Sequence, residues 1–285
     1  MGLRDLGYKA YEGDRLPPSH NGWVLWRHGL RRVWGSWLVK IAAFTGWLPP
    51  VVAMGIMGFA YWLAGQMPPG AEAPEVPVIG VVRSLYDWQF WLFVTAVSMG
   101  AGASVVAEDR TFRAFQFYFA KPVTPMQYLI GRVAAVLLWC FVITFIPAFL
   151  LVLEATGMAP EELRVERIGL LLPALLYSLL IAVVAGVGSI GMSALSKSRA
   201  LTMTAWIMLL ILPTALGNIV YAISEWPWLL LGSIPHLLGV IGDSLFKVET
   251  ESEIEWFHAL PILSALVVGG LYLTYDRVRR AEVIT

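Results

Sequence analysis

Six long stretches that are almost free of charged side chains most constrain how this chain can fold. They cover 38–63, 89–106, 133–153, 169–194, 201–223 and 257–275. A helix needs about 20 apolar residues to cross a bilayer, and lipid forces every backbone polar group to find a partner within the protein. Only 14% of the chain is charged, against about 25% in soluble domains. We therefore predict an all-α integral membrane protein with six transmembrane helices.

The chain divides into an N-terminal part and one membrane domain. We predict a cytosolic arm and an interfacial helix over 1–37, and a single transmembrane domain over 38–285. Within 21–37, apolar residues recur at three- and four-residue steps while arginines fall between them, which is typical of a basic amphipathic helix at headgroup depth. The residues that define this helix are Trp23, Trp26, Arg27, Arg31 and Trp34. Membrane lipids are its predicted partners.

Lysine and arginine are distributed unequally between the connecting segments. Sixteen of the 20 occur in the N-terminal part, at the start of the first stretch, in 107–132, in 195–200 or at the C-terminal end. Loops rich in these residues stay in the cytoplasm. We therefore predict that both termini are cytoplasmic and that 65–87, 154–168 and 247–256 form external loops.

The segment 228–246 is apolar but interrupted. It holds Gly232, Pro235, Gly239 and Gly242, and a run broken this often is unsuited to a regular membrane-crossing helix. Irregular backbone at membrane depth is tolerated only where protein or water covers it. We predict a pair of short helices on the outer side before the last span, either re-entrant or lying on the surface.

The segment 108–132 differs from a simple connection because it mixes charged and aromatic residues. Its aromatic residues Phe112, Phe115, Tyr118 and Phe119 recur at about helical spacing, which predicts a short amphipathic helix. Pro122 and Pro125 would end this helix and turn the chain. Two interpretations remain: an interfacial helix on lipid headgroups, or a docking element for a cytosolic partner. We favour the second, because a plain connection needs neither a helix nor a proline turn.

Missing features narrow the class of function. Apart from the first, the predicted spans carry no Asp, Glu, Lys or Arg, whereas ion-coupled carriers usually have such a group, or a broken helix, near the membrane centre. The sequence has no G-x-x-x-x-G-K-[ST] phosphate-binding loop, and its four histidines are scattered. Its net charge is zero, which does not favour nucleic acid. We predict no catalytic, metal or cofactor site here, so a transporter of this kind would need energy from another chain.

The segment 108–132 resembles the permease subunits of ABC-2 type transporters. Their pattern is an acidic residue at the end of a second span, a short helix, a basic residue with proline, and Tyr-Leu-x-Gly-Lys/Arg. The matching residues are Glu108, Lys121, Pro122, Val123, Thr124, Tyr128, Leu129, Gly131 and Arg132. Phe112 and Arg113 depart from the pattern, since small residues often occupy these positions, and Pro125 replaces a more usual polar or basic residue. The hydropathy layout extends the resemblance over most of the chain.

The resemblance implies a function and partners. Two six-span subunits, identical or different, would pair around a substrate path, and each would rest on a cytosolic ATPase subunit that holds ATP and magnesium. The chain would be a non-catalytic permease of a bacterial inner membrane, most often an exporter, with 21–37 as its elbow helix. Two cytoplasmic loops would couple it to the ATPase through Arg110, Arg113, Phe115, Tyr118, Phe119, Lys121, Pro122, Lys197 and Arg199. Glu108 would anchor the first loop at the membrane edge.

Three other classes of protein remain as alternatives. A membrane scaffold or assembly subunit would need no ATPase, an ion-coupled carrier or channel would show flux that follows an ion gradient without ATP, and a membrane enzyme would form product alone. ATPase activity that appears only with a second chain would distinguish the permease from all three. The sequence identifies no substrate, because its 13 tryptophans are spread along the predicted interfaces rather than gathered at one site.

Overall fold

The computed structural model describes residues 17, 20–68, 76–119, 123–249 and 253–283, with side chains up to 281. Over these residues the protein is helical and has no strand. The α-helices are Asn21–Gly35, Trp37–Thr45, Leu48–Gln66, Val78–Trp88, Thr95–Val97, Ala103–Thr111, Ala114–Phe119, Pro125–Met158, Glu161–Gly169, Leu171–Leu195, Arg199–Ser224, Ile234–Phe246 and Trp256–Val283. Two segments, Gln89–Val94 and Ser98–Gly102, are π-helical, and Pro227–Gly232 is a 3₁₀ helix.

Within the described part of the chain, six helices or runs of helix are long and apolar enough to cross a membrane. Numbered in chain order, spans one to six are Trp37–Gln66, Val78–Thr111, Pro125–Met158, Glu161–Leu195, Arg199–Ser224 and Trp256–Ala281. The predicted all-α architecture with six apolar spans is therefore confirmed. The end of the bundle with the described residues 112–119, 123–124 and 196–198 is called the basic end below. The opposite end, with 225–226, 247–249 and 253–255, is called the acidic end.

The loop predicted at 65–87 is wrong in its second half, because span two begins at Val78. Arg83 and Asp87 therefore lie on a helix. Arg83 is only 8% exposed, and it donates hydrogen bonds to Asp87 and Asp243 with N–O distances of 2.8 and 2.6 Å. A buried arginine is tolerated when it is paired in this way. The start of span two was predicted too late in the chain because the prediction considered only the charges of Arg83 and Asp87, not their pairing.

Two further boundaries differ from the prediction. Span three, expected at 133–153, begins at Pro125 because a capping box starts the helix there. The hydroxyl of Thr124 accepts from the backbone N–H of Gln127, whose side-chain oxygen accepts from the backbone N–H of Thr124. The loop expected at 154–168 is mostly helical, since span three continues to Met158 and the helix Glu161–Gly169 follows. The external position of this segment stays a prediction.

Span two lies at the centre of the bundle and is the most buried of the six, whereas span five is the least buried. Span two is not a regular α-helix, because Gln89–Val94 and Ser98–Gly102 are π-helical. After the second π segment, the backbone N–H groups of Val106 and Ala107 both donate to the hydroxyl of Ser193, each at 2.9 Å. Span four thus accepts backbone hydrogen bonds from span two at the place where span two changes from π-helix to α-helix.

The interrupted segment before span six forms two short helices, Pro227–Gly232 and Ile234–Phe246. The second of them packs closely on span four, because a Cβ at Gly242 would lie 2.6 Å from the ring of Tyr177. Asp243 of the same helix joins it to span two through an ion pair. The re-entrant or surface position of this pair relative to a membrane stays a prediction.

Spans four and six are in backbone contact at Gly191 and Gly270. A Cβ at Gly191 would lie 2.6 Å from the Cα of Gly270, so we expect Gly191→Ala to destabilise the protein by about 1–3 kcal/mol, the usual cost of overpacking. Unfolding in mixed micelles of increasing SDS content measures the change. Gly269→Ala is the matched control, since nothing lies within 4 Å of its Cβ position, and it should be neutral or slightly stabilising. Equal stability of the two variants would contradict this contact.

Candidate functional site at the basic end

Charged side chains from four elements meet where span two ends at the basic end. The charge cluster consists of Arg32 from the N-terminal helix Asn21–Gly35, Glu108 and Asp109 from span two, Arg132 from span three and Arg199 from span five. Three guanidinium groups thus face two carboxylates. The pairs join segments that lie far apart in the sequence, and we treat the cluster as the candidate site.

Asp109 is the centre of the charge cluster. Its side chain is 4% exposed. It accepts hydrogen bonds from Nη1 of Arg32 at 2.6 Å, the hydroxyl of Tyr128 at 2.7 Å and Nη2 of Arg132 at 2.9 Å. Bonds from charged donors to a carboxylate are among the strongest in proteins, and a buried carboxylate without them would be costly. Asp109 therefore fixes the end of span two against the N-terminal helix and span three.

Glu108 extends the cluster to span five. One carboxylate oxygen pairs with Arg32 at 2.5 Å and the other with Arg199 at 2.8 Å. Arg32 therefore bridges both carboxylates of span two. Burial by itself would lower the pKa of Arg32, but its pairing with Asp109 and Glu108 raises this pKa above the ordinary value. The residue predicted as a membrane-edge anchor is thus held by two arginines of its own chain.

Arg132 is the most buried cation of the cluster, at 1% exposure. Its Nη2 also donates to the hydroxyl of Tyr118 at 2.7 Å. The guanidinium carbon lies 5.6 Å from the ring centre of Tyr118 and 5.5 Å from that of Tyr128, within the range of cation–π attraction. Nε and Nη1 of Arg132 have no hydrogen-bond partner among the described residues. The aromatic rings and Asp109 therefore supply the contacts of this cation.

Two titratable neighbours add no charge to the cluster at neutral pH. Burial raises the pKa of Tyr118. Burial also lowers the pKa of His28, and the positive charges of Arg132 and Arg32 lower it further. Both side chains are therefore neutral near pH 7, and the excess positive charge of the cluster belongs to its guanidinium groups.

The cluster forms because the N-terminal helix crosses span three at short range. A Cβ at Gly131 would lie 2.8 Å from the Cβ of Leu25, and a Cβ at Gly29 would lie 2.9 Å from the Cβ of Ala135. Small residues at a helix crossing let the two backbones approach closely. The crossing brings Arg32 and Arg132 within reach of Asp109.

A cavity of about 210 Å³ lies beside the cluster. It is bounded by the N-terminal helix, spans two and three and the start of span five, and its walls include Ser36, Ser104, Glu108, Arg132 and Arg199. Since a water molecule occupies about 30 Å³, the cavity has room for several. Such room lets water solvate the charged groups at this end while the bundle stays closed around Asp109.

The second loop of the basic end is also bonded to span two. The hydroxyl of Thr111 donates to the carbonyl oxygen of Lys197 at 2.6 Å, and Arg110 donates to that of Ala194 at 3.1 Å. Arg277 of span six donates to the same carbonyl at 3.2 Å. The ends of spans two, four and six are thus tied together at the predicted second coupling loop.

The loop helix, Ala114–Phe119, is not a continuation of span two. The chain turns at Phe112 and Arg113, and Arg113 has a φ of 52°, in the left-handed region. The helix predicted from the aromatic spacing is therefore shorter than expected and starts after this turn. Phe115 faces inward, with 5% exposure and its ring centre 5.3 Å from that of Tyr128.

Two other aromatic side chains of this loop are exposed: Phe112 at 74% and Phe117 at 73%. Large exposed aromatic side chains are typical of protein-binding surfaces. The predicted coupling residues divide as follows: Arg113, Lys197 and Arg199 are exposed, Arg110, Tyr118 and Phe119 are half-buried, Phe115 is buried, and Lys121 and Pro122 lie outside the described residues. Their role in coupling stays a prediction.

The N-terminal helix is amphipathic, and the face that it buries against span three is narrow. That face consists of Leu25, Gly29 and Val33. Trp34 stacks on Trp139 of span three with ring centres 4.8 Å apart. The other residues predicted to define this helix lie at or near its surface: Trp23, Trp26, Arg27 and Arg31. Packing on span three therefore positions this helix.

Sequence reasoning did not place Asp109, Arg32 or Phe117 among the site residues. The available signal for the cluster was a glycine near each of two arginines, Gly29 and Gly131, because glycine within an apolar or amphipathic helix often marks a close approach. Phe117 falls outside the helical spacing of Phe112, Phe115, Tyr118 and Phe119, and this was the available signal that its ring faces outward.

Comparison of the chain with models of known protein families and with curated proteins gives no match. Within the part of the chain that the structure describes, no three His, Cys, Asp or Glu side chains are grouped to hold a metal ion. The functional interpretation therefore depends on the charge cluster and on the exposed aromatic surface beside it.

Proposed function

We propose that this chain is the non-catalytic permease subunit of an ATP-driven transporter of the ABC-2 type, and that it exports its substrate across a bacterial inner membrane. A separate cytosolic ATPase subunit would hold ATP and magnesium. A second permease subunit, identical or different, would complete the substrate path. The basic end would face the cytoplasm with both termini, in keeping with the distribution of lysine and arginine.

The observation that carries the proposal is the attachment of an exposed loop to the central helix through the charge cluster. Phe112 and Phe117 offer two aromatic rings to a docked partner. Tyr118 of the same loop helix is bonded to Arg132, which Asp109 joins to the end of span two. Movement of a docked ATPase would therefore reach span two through buried bonds as well as through the turn of the chain.

The remaining elements take supporting places in this proposal. The N-terminal helix would lie along the cytoplasmic membrane surface as an elbow, with Trp23 at headgroup depth and Arg31 near lipid phosphates. The two short helices, Pro227–Gly232 and Ile234–Phe246, would lie on the outer side, either re-entrant or on the surface. Spans one, five and six, which are the least buried, would contact lipid or the second permease subunit.

Purification of the chain from its native membranes with a C-terminal tag, in mild detergent, tests the proposal. We expect a soluble chain with a G-x-x-x-x-G-K-[ST] loop to copurify in stoichiometric amount, and ATP hydrolysis to require both chains. A chain that purifies alone, intact and monodisperse, would overturn the proposal. Flux along an ion gradient without ATP would then identify a carrier, and a lack of flux would identify a scaffold.

A further inference from the structure

A second, larger cavity of about 660 Å³ lies at the acidic end of the bundle. Its walls come from span two, span five, the 3₁₀ helix, the short helix Ile234–Phe246 and the segment before span six. Sites for small organic molecules are typically about 300–1,000 Å³ in volume. The cavity therefore has room for such a molecule, and it shares no residue with the charge cluster.

Acidic side chains predominate on the walls of this cavity. Asp87, Glu225, Asp243 and Glu253 line it, against the single guanidinium of Arg83. That guanidinium is already occupied: it donates to Asp243 at 2.6 Å, to Asp87 at 2.8 Å and to a backbone carbonyl oxygen at 3.2 Å. Glu225 and Glu253 are exposed and form no ion pair with any described residue. The cavity thus offers free carboxylates and no free cation, which favours a positively charged ligand.

Apolar and aromatic side chains provide the rest of the walls. Trp91 and Tyr221, from spans two and five, line the cavity and are 38% and 44% exposed. Leu230 and Val240 contribute aliphatic surface. Aromatic faces attract cations and also contact apolar groups. The lining therefore suits a ligand with an apolar body as well as a positive charge.

His236 lies on the same wall. Its Nε2 atom is closed off from solvent and has no hydrogen-bond partner among the described residues. Burial lowers the pKa of His236, while the nearby carboxylate of Asp243 opposes this shift. The imidazole is therefore neutral at pH 7 and adds no positive charge to the cavity. Within the described residues, no three His, Cys, Asp or Glu side chains are grouped to hold a metal ion, and the apolar lining suits an organic cation.

We infer that the cavity at the acidic end is a binding site for a protonated amine with an aromatic or aliphatic body. The amine lies near Glu225 and Glu253, and its apolar body packs on Trp91 and Tyr221. This inference concerns the isolated chain. It does not depend on whether the chain is coupled to an ATPase.

Fluorescence titration of the purified full-length chain with three dansyl compounds tests the site. Dansylcadaverine carries a protonated amine, dansylamide is neutral and dansylglycine is an anion, so the aromatic body is constant while the charge changes. We expect dansylcadaverine to bind at least about tenfold more tightly than the other two. Equal binding of all three would overturn the inference, because it would show partition into apolar surface or detergent only.

A pair of double variants locates the binding. Glu225→Gln with Glu253→Gln removes the two unpaired carboxylates and should weaken dansylcadaverine binding by about fivefold or more, as expected for two partly exposed charges near a cation. Glu161→Gln with Glu162→Gln is the matched control: it removes the same charge from exposed positions outside the cavity and should leave binding unchanged. Equal weakening by both double variants, or unchanged binding in the first, would contradict a site in this cavity.

Discussion

Replacing Asp109 by asparagine is expected to remove about 3–5 kcal/mol of folding free energy, the usual cost of deleting one partner of a buried ion pair. Asp109 accepts from Arg32, Arg132 and Tyr128. The amide that replaces it cannot balance two guanidinium groups, and Arg132 has almost no access to solvent. The end of span two would then lose its attachment to the N-terminal helix and to span three.

Unfolding in mixed micelles of increasing SDS content, followed by tryptophan fluorescence, measures this loss. Asp276→Asn is the matched control, because Asp276 pairs with Arg280 on one exposed helical face, and such a pair contributes about 0.5 kcal/mol or less. Combining Asp109→Asn with Arg132→Met should restore part of the stability, since the unbalanced cation is removed as well. Unfolding of Asp109→Asn at the wild-type SDS content would show that the cluster does not hold the bundle together.

If the proposed function is right, replacing Phe112 and Phe117 together by alanine is expected to abolish stimulation of the proposed ATPase partner while the chain stays folded. Both rings are largely exposed, so their removal leaves the packing of the bundle intact. Buried aromatic anchors at an interface are commonly worth about 2 kcal/mol or more each. We therefore expect the affinity for the ATPase subunit to fall at least about tenfold. Copurification and stimulated ATP hydrolysis in the reconstituted complex measure the effect.

The choice of residues in this experiment depends on the orientation of the loop helix. Phe115 packs on Tyr128, so its replacement would damage the interior and could not report on docking alone. Phe44→Ala with Phe59→Ala is the matched control, because both residues are exposed on span one, at 73% and 61%. Full stimulation by the Phe112 and Phe117 variant, or an equal loss in the control, would exclude the exposed loop surface as the docking site.

The six spans could be predicted from the sequence because lipid imposes a strong condition on length and charge. Their ends could not be predicted as well, since pairing can cancel the penalty of a charge. Arg83 lies within span two because Asp87 and Asp243 neutralise it, and one of these partners is 160 residues away in the chain.

In the candidate site, too, the sequence predicted the segment but not which single residues are central to it. The segment 108–132 could be recognised as unusual from its composition. Asp109 could not be recognised as its centre, because the arginines that hold it depend on a crossing of two helices at Gly29 and Gly131. The turn at Arg113 separates Phe112 from the loop helix, so helical spacing wrongly placed Phe112 on the inward face with Phe115 although its ring is exposed.

The two π-helical segments of span two have a consequence for how relatives of this chain should be aligned. A hydrogen bond from residue i to i+5 encloses one residue more than the α-helical bond. A chain with one residue fewer within Gln89–Val94, and one fewer within Ser98–Gly102, could form an uninterrupted α-helix with the same two ends. Insertions and deletions among related chains would then fall inside a central helix. An alignment that confines gaps to loops would misplace Arg83 relative to Asp109 by one or two positions, and each position is a rotation of about 100° around the helix axis.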